Sequence, residues 1–472
     1  MHVLFLVIAS LSQVFGSTSE LGSLCDLSFK SKDQSKWISI SCEEQTIRKK
    51  VVDVNTGALL DTQIYNFDQK ISSNPKYATD FQIQSESETY SYDSRVLEVN
   101  TDKPGRLIIG MMDEDIDVRH PELAKFLLRN EKEVLDGLDN DGDGMIDDLY
   151  GLSFLSLDGL PNSVSHLIKI SKDEDRPFSH GSHVGSILLN GHEDLSLATY
   201  TFPNESKYFY RISEYFTNVS RHMKKVKVRV MNMSLGTNMT LGGPPPIQAK
   251  NEQDYLQIRS SMEAFIESRP EVLFVVAAGN GFWGTAVNLD STPHPTIPGA
   301  LPHENILSVG AIDRAELSSD LESSKMTYFS NYGPQAVDIL APGQSVVGAR
   351  LGGGSLPKNG TSMASPYVVN KVIVPLLRMN ESFTNQDLID LTLLTATIPN
   401  IEKPFPVKSG GIINPQRALH AAELLKANPD LRIEEAVTRV FDLEGWSLAD
   451  IEKRKRLWRE RDLVRPVLSA AR

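Results

Sequence analysis

The chain has 472 residues, 40% of them hydrophobic, which is enough for one large domain with extensions. Its formal net charge of -13 argues against nucleic acid as a partner and favours solubility without specifying a fold. No apolar run beyond the N-terminus is long enough to span a membrane.

The chain opens with Met1-His2-Val3-Leu4-Phe5-Leu6-Val7-Ile8-Ala9 and stays apolar to Phe15, with Gly16 and Ser17 following. This pattern predicts a signal peptide over residues 1–16 and a secreted or periplasmic product, although His2 is the only basic residue of its n-region. Cys25 lacks the Leu-x-Gly/Ala approach of a lipid-anchor site. Export together with two cysteines in one short segment predicts a Cys25–Cys42 disulfide ahead of the main domain. Between residues 17 and 100, alternating stretches such as Lys36-Trp37-Ile38-Ser39-Ile40-Ser41 and Phe81-Gln82-Ile83-Gln84 predict a small β-rich segment.

Leu107-Ile108-Ile109-Gly110-Met111-Met112-Asp113 is an apolar run ending in an acid, the mark of a buried strand delivering a carboxylate at its tip. Downstream, Asp139, Asp141 and Asp143 alternate before Gly144 and match the first half of an EF-hand-type calcium loop. Tyr150 stands where the bidentate glutamate belongs, so Asp147 and Asp148 become the late ligand candidates. A solvated acidic turn is the plain alternative.

His180-Gly181-Ser182-His183-Val184-Gly185 supplies two histidines on one helix. Val230-Met231-Asn232-Met233-Ser234-Leu235-Gly236 and Phe274-Val275-Val276-Ala277-Ala278-Gly279-Asn280 read as strands followed by polar turns. In Gly360-Thr361-Ser362-Met363-Ala364-Ser365-Pro366, small residues flank a serine that opens a helix. The unpaired N–H groups of a first helical turn point at any oxyanion forming there, although a helix cap is the commoner role for such a serine.

Together these segments resemble the subtilisin-like serine proteases (subtilases), in the order acid, histidine, serine. Ile297-Pro298-Gly299-Ala300, Asn305 through Ala311, Phe329 through Gly333, Val337 through Gly343 and Gly411-Ile412-Ile413-Asn414 extend the similarity over roughly residues 100–425. The resemblance implies an α/β fold, a three-layer arrangement about a mostly parallel central sheet. It implies a serine endopeptidase domain at 101–425 with Asp113, His180 and Ser362 as triad and Asn280 as oxyanion donor. His183 becomes a packed neighbour, while Glu114, Asp115 and Asp117 become solvated or structural. Ser234, Leu235, Gly236, Ala278 and Gly279 would bind an extended peptide along a strand edge. Polypeptides are then the expected substrates, the expected state is a monomer, and residues 17–100 would be a propeptide or a permanent small domain, the propeptide acting as inhibitor. Calcium, held by Asp139, Asp141, Asp143 and Asp147, would be structural, with no catalytic cofactor.

Departures from the family pattern are Glu114-Asp115 after the acid, Ser182 and Gly185-Ser186 in the histidine helix, and Tyr367, Val369 and Asn370 after Pro366. The last two imply a rearranged helix contact. An inactive scaffold serving as a binding protein is the alternative function, and the intact quartet argues against it; a calcium-dependent adhesive or structural protein is a third, which chelation would test. Residues 426–472 form a helical extension. Apolar positions from Ile433 to Leu443 have helical spacing, Ser447 and Asp450 start a second helix, and Lys453, Arg454, Lys455, Arg456, Arg459 and Arg461 make it basic. That helix is expected to present a solvated basic face, with Leu457 and Trp458 packed on the body.

Overall fold

The structure is a computed structural model. It describes residues 106–463 except 115, 119, 134–138, 146–147, 154–179, 203–210, 238–250, 282–284, 318–320, 322 and 351–353, and the backbone of six strands within 27–91. The signal peptide, Cys25 of the expected disulfide, Asp115 and Asp147 lie outside the described residues.

Strands β1 (Leu27–Lys30), β2 (Lys36–Glu43), β3 (Thr46–Asp53) and β4 (Leu59–Asn66) form an antiparallel sheet in chain order. A short hairpin follows, β5 (Gln82–Gln84) with β6 (Thr89–Ser91). The alternation read at 36–41 and 82–84 therefore corresponds to strands.

The main sheet comprises β7 (Leu107–Asp113), β8 (Gly151–Ser153), β9 (Leu195–Thr201), β10 (Val230–Met233), β11 (Leu273–Ala277), β12 (Ile306–Ile312) and β13 (Ile339–Pro342). They lie in the order β13-β12-β11-β10-β7-β9-β8, all parallel. A parallel sheet is covered on both faces, and its central strands β7 and β11 are accordingly continuous apolar runs rather than alternating ones. Successive side chains still point to opposite faces. Ile109, Met111, Leu273 and Val275 join one core with helices α1 (His180–Leu189) and, later in the chain, the one at Thr361–Val368. Ile108, Met112, Phe274 and Val276 join the other with α2 (Ile212–Val226) and α3 (Glu252–Glu267). The molecule is thus a three-layer α/β fold.

From β7 the chain first builds toward β9, then crosses to β10 and builds the opposite way. The reversal leaves a crevice at the carboxyl ends of the central strands, where open α/β sheets bind ligands. Asp113 ends β7, and Ser234 and Asn280 follow β10 and β11 at that same edge.

Helix α4 (Thr361–Val368) continues through a π-helical turn, 369–373, into α5 (Val374–Met379), with α6 (Asn385–Leu394) and α7 (Pro415–Ala427) behind. The extension adds α8 (Ile433–Leu443) and α9 (Leu448–Glu460), the latter capped by Ser447, which accepts from Asp450 N. One expectation for α9 needs correction. Arg454 is not on a solvated face: it is wholly buried, donates to the Ala396 carbonyl, and lies 4.9 Å from the Phe441 ring centroid. Its position three residues after Ile451 and four before Trp458 puts it on the buried stripe, where the guanidinium stacks on aromatic rings. Among the described residues no helix is long and apolar enough to cross a membrane.

Candidate active site

Asp113 is 1% exposed, and its Oδ1 accepts from Glu114 N at 2.8 Å. The same oxygen lies 2.6 Å from His180 Nδ1. A carboxylate accepts only, so Nδ1 carries the proton and Nε2 is left to accept one. His180 is the first residue of α1. Burial works against its charge, but the charge and hydrogen bond of Asp113, joined by the charge of Glu114, outweigh burial and raise its pKa above the ordinary histidine value. Asp117, wholly buried, ties the loop after β7 to the same helix: its N–H donates to Ser182 Oγ at 2.7 Å.

His183 sits one turn later with a different environment. Its Nε2 donates to the Leu356 carbonyl at 3.0 Å, in a hairpin of β14 (Val346–Ala349) and β15 (Ser355–Lys358). Burial, then the Lys358 charge, pushes its pKa down to about 4. Gly348 lies flat on the ring, and a Cβ there would come within 2.7 Å of it. His183 is the packed neighbour that the sequence suggested.

The serine is presented by Gly360, whose φ of 155° with ψ 156° no side-chain-bearing residue adopts readily. Ser362 is part-exposed, and its hydroxyl donates to the Ser234 carbonyl at 3.3 Å. Ser234 Oγ in turn donates to the Ser362 carbonyl at 2.8 Å and accepts from Asn232 Nδ2. Asn280 is exposed, and its Oδ1 accepts from both Thr361 N (2.9 Å) and Thr361 Oγ1 (3.0 Å). That orientation turns Nδ2 toward Gly360, where an added Cβ would meet it at 3.4 Å. An amide donor and the N–H groups opening α4 thus border one small space, suited to a developing oxyanion. Thr361 Oγ1 also accepts from Gly279 N, joining the turn after β11 to the helix.

The peptide-edge expectation changes in extent. β10 is paired on both sides, with β7 and with β11, so residues 230–233 have no free edge. Only Ser234, Leu235 and Gly236 run past the sheet, and of these Leu235 and Gly236 are part-exposed. Ala278 is wholly buried; its N–H goes to Val309 O and its carbonyl accepts from Asn331. Gly279 is part-exposed.

In the acidic loop, Asp139 accepts backbone N–H groups from Gly142, Asp143 and Gly144. Oxygens of Glu133, Asp139 and Asp141 lie within 4.8 Å of one another, a hard-oxygen set that fits a divalent cation. Lys225, from α2, bridges Asp141 at 2.8 Å and Asp143. Asp148 lies beneath, buried, accepting from Asn130 Nδ2, which also reaches Asp141. Neither Glu133 nor Lys225 was among the sequence candidates; Lys225 is more than 80 positions away with no pattern to link it.

Thr361, Asn331 and the hydroxyl of Ser234 also escaped sequence reading as working parts, since each acts by hydrogen bonds to residues distant in the chain. The departures after Pro366 now have physical roles. Tyr367 OH accepts from Leu317 N at 3.2 Å, and Asn370 donates to Leu188 and Asn190 carbonyls.

Comparison with known proteins places this arrangement in context. Subtilisin-like protease 1 of Plasmodium berghei is 23% identical over 301 residues, 60% of this chain and 44% of its own. The protein of the same name in Plasmodium vivax is 23% identical over 356 residues, 71% of this chain and 50% of its own. The chain thus spans about half the length of these relatives. Among solved structures, an epidermin leader peptide processing serine protease from Staphylococcus aureus aligns at TM-score 0.44 and 17% identity, covering 68% of this chain and 77% of its own. The family model of the subtilases matches residues 105–429, more than half of the chain, and the chain belongs to the subtilase family.

Proposed function

We propose that the chain is a serine endopeptidase in which Asp113, His180 and Ser362 form the catalytic triad and Asn280 supplies an oxyanion donor. The observation that carries the reading is the 2.6 Å Asp113–His180 contact at the sheet edge that also bears Asn280 and leads to Ser362. In the reaction the Ser362 hydroxyl turns from the Ser234 carbonyl to His180 Nε2 and attacks a peptide carbonyl. His180 takes the hydroxyl proton, held in the right tautomer by Asp113. Asn280 Nδ2 and the Ser362 N–H hold the oxyanion. The tetrahedral intermediate collapses as His180 gives its proton to the leaving amine, forming an acyl-enzyme. Water, deprotonated by His180, then attacks the ester, and the proton returns to Ser362 Oγ as the acid departs.

A peptide would lie against Leu235 and Gly236, with Ser234 and Gly279 flanking it. Residues 17–100, which include the β1–β4 sheet, would act as an inhibitory propeptide. A structural calcium ion would take Glu133, Asp139 and Asp141 as ligands and release Lys225, offsetting the negative charge of the loop. The test is labelling by a serine-directed fluorophosphonate, with mass spectrometry of wild type and Ser362→Ala. Stoichiometric labelling lost in Ser362→Ala, and cleavage near residue 100 in wild type alone, are expected. A folded wild type that never labels overturns the reading.

A further inference from the structure

We infer that Asn370 is a positioning residue that ties the helix of the nucleophile to the far end of the helix of the base. The inference rests on the catalytic roles given above to His180 and Ser362. Helix α1 starts at His180, and α4 starts one residue before Ser362. Both run from a reactive side chain toward Asn370. There the Asn370 amide Nδ2 donates to the Leu188 carbonyl at 3.0 Å and to the Asn190 carbonyl at 2.8 Å. These are carbonyls at the C-terminal end of α1, which its own ladder leaves unpaired.

The backbone of Asn370 takes part as well. It lies in the π-helical turn at 369–373, where the regular α-ladder is interrupted. Its carbonyl is the partner of His192 Nε2 at 3.2 Å, and His192 Nδ1 meets Arg378 at 2.7 Å. An arginine can only donate, so Nδ1 accepts and the Nε2–H donates to Asn370. His192 is consistently held below the ordinary pKa by burial and then by Arg378. Asn370 is 2% exposed, and its bond to the Leu188 carbonyl is buried, while the bond to Asn190 is part-buried.

A ten-residue helix is about 15 Å long, so a small tilt allowed at its C-terminus displaces His180 at its start by a similar fraction of that length. A misplacement of about 1 Å between reacting groups can cost on the order of 100-fold. Two hydrogen bonds at the shared far end of the helices, one buried and one part-buried, are placed to suppress that tilt.

Asn370→Asp separates the tie from packing, because the carboxylate keeps the shape but cannot donate to the two carbonyls. Asn370→Ala removes both shape and donors. Kinetics per fluorophosphonate-titrated site should show kcat lowered by about 10- to 100-fold in both variants with KM within a factor of about two. Amide hydrogen exchange at residues 180–190 should quicken in both. The pH midpoint of the acid limb should stay in place, since the Asp113–His180 pair is untouched. A variant that only loses thermal stability, with kcat per titrated site and exchange at 180–190 unchanged, overturns the inference. If wild type neither labels nor cleaves, the catalytic reading fails by itself. Exchange at 180–190 then decides the tie alone, and unchanged rates overturn it.

Discussion

Thr361 binds Asn280 twice through one atom: its N–H and its hydroxyl both donate to Asn280 Oδ1, at 2.9 and 3.0 Å. The amide can satisfy both only with oxygen toward Thr361, so its nitrogen is committed to the side of Gly360. On the proposed mechanism, Thr361 therefore aims the oxyanion donor. Asn280→Ala should lower kcat by about 10²–10³ with little change in KM, because the lost bond is made mainly in the transition state. Thr361→Val should have a smaller effect in the same direction, since the backbone bond survives. Steady-state kinetics on titrated enzyme decides, and a loss below about tenfold in Asn280→Ala would remove Asn280 from the site.

The unusual acid after Asp113 gives a pH prediction. If His180 is the proposed base it works only when neutral, so activity should rise with pH through a midpoint above that of an ordinary histidine. Glu114 is one source of that elevation, through its charge. Glu114→Gln should move the acid limb of the kcat/KM profile to lower pH, with the plateau rate little changed. A midpoint that stays where it was, or rises, contradicts the assignment.

How much of this was legible in the sequence depends on the range of the interaction. Asp113 is marked by local pattern, an apolar strand ending in an acid, whereas His180, Asn280 and Ser362 are picked out by the resemblance of their segments to subtilase motifs. The apolar runs at 107–113 and 274–277 mark two strands of the sheet, while β8 (Gly151–Ser153) and β9 (Leu195–Thr201) carry too many polar residues to stand out. Arg454 was misplaced because a basic residue in a basic helix looks solvated until Phe441 and Trp446 are seen to line its pocket. The Lys225 bridge and the Asn370 tie join residues 82 and 180 positions apart, and no periodicity carries such pairs.

For the acidic loop, a bound calcium ion would couple to stability, since a ligand that binds only the folded chain adds RT ln(1 + [L]/Kd). Adding about 100-fold more calcium than Kd should stabilise by about 2.7 kcal/mol, and a chelator should reverse it. Lys225→Met should strengthen the dependence by removing the competing ammonium. Thermal melts with calcium and with a chelator provide the measurement, and coincident curves for both proteins would rule the ion out.

Gly348 gives a packing test remote from the reacting atoms. A Cβ there would lie 2.7–2.8 Å from three atoms of the His183 ring, well inside contact distance. The ring is fixed by its bond to the Leu356 carbonyl and cannot retreat freely. Gly348→Ala should destabilise by about 1–3 kcal/mol, as expected for overpacking. Urea unfolding would show it, and a change below about 0.5 kcal/mol would mean the hairpin yields.

Asp338 gives a stability test with a defined sign. Its Oδ2 accepts from Ser308 N at 2.7 Å, and Lys408 stands 3.9 Å from Oδ1. Burial outweighs both and raises its pKa from 3.8 to about 6. The folded chain therefore holds this proton more tightly than the unfolded chain. Its contribution is fully present below the unfolded value and is lost as pH climbs from about 4 through about 6. A shift of this size corresponds to at most about 3 kcal/mol. Asp338→Asn removes the titration while its side-chain oxygen can still accept from Ser308 N. Relative to wild type, the variant should gain stability from pH 4 to pH 8, by up to that amount. Urea midpoints for both proteins across that range measure the difference. A gap that does not widen with pH would mean that Asp338 titrates alike in the folded and unfolded chains.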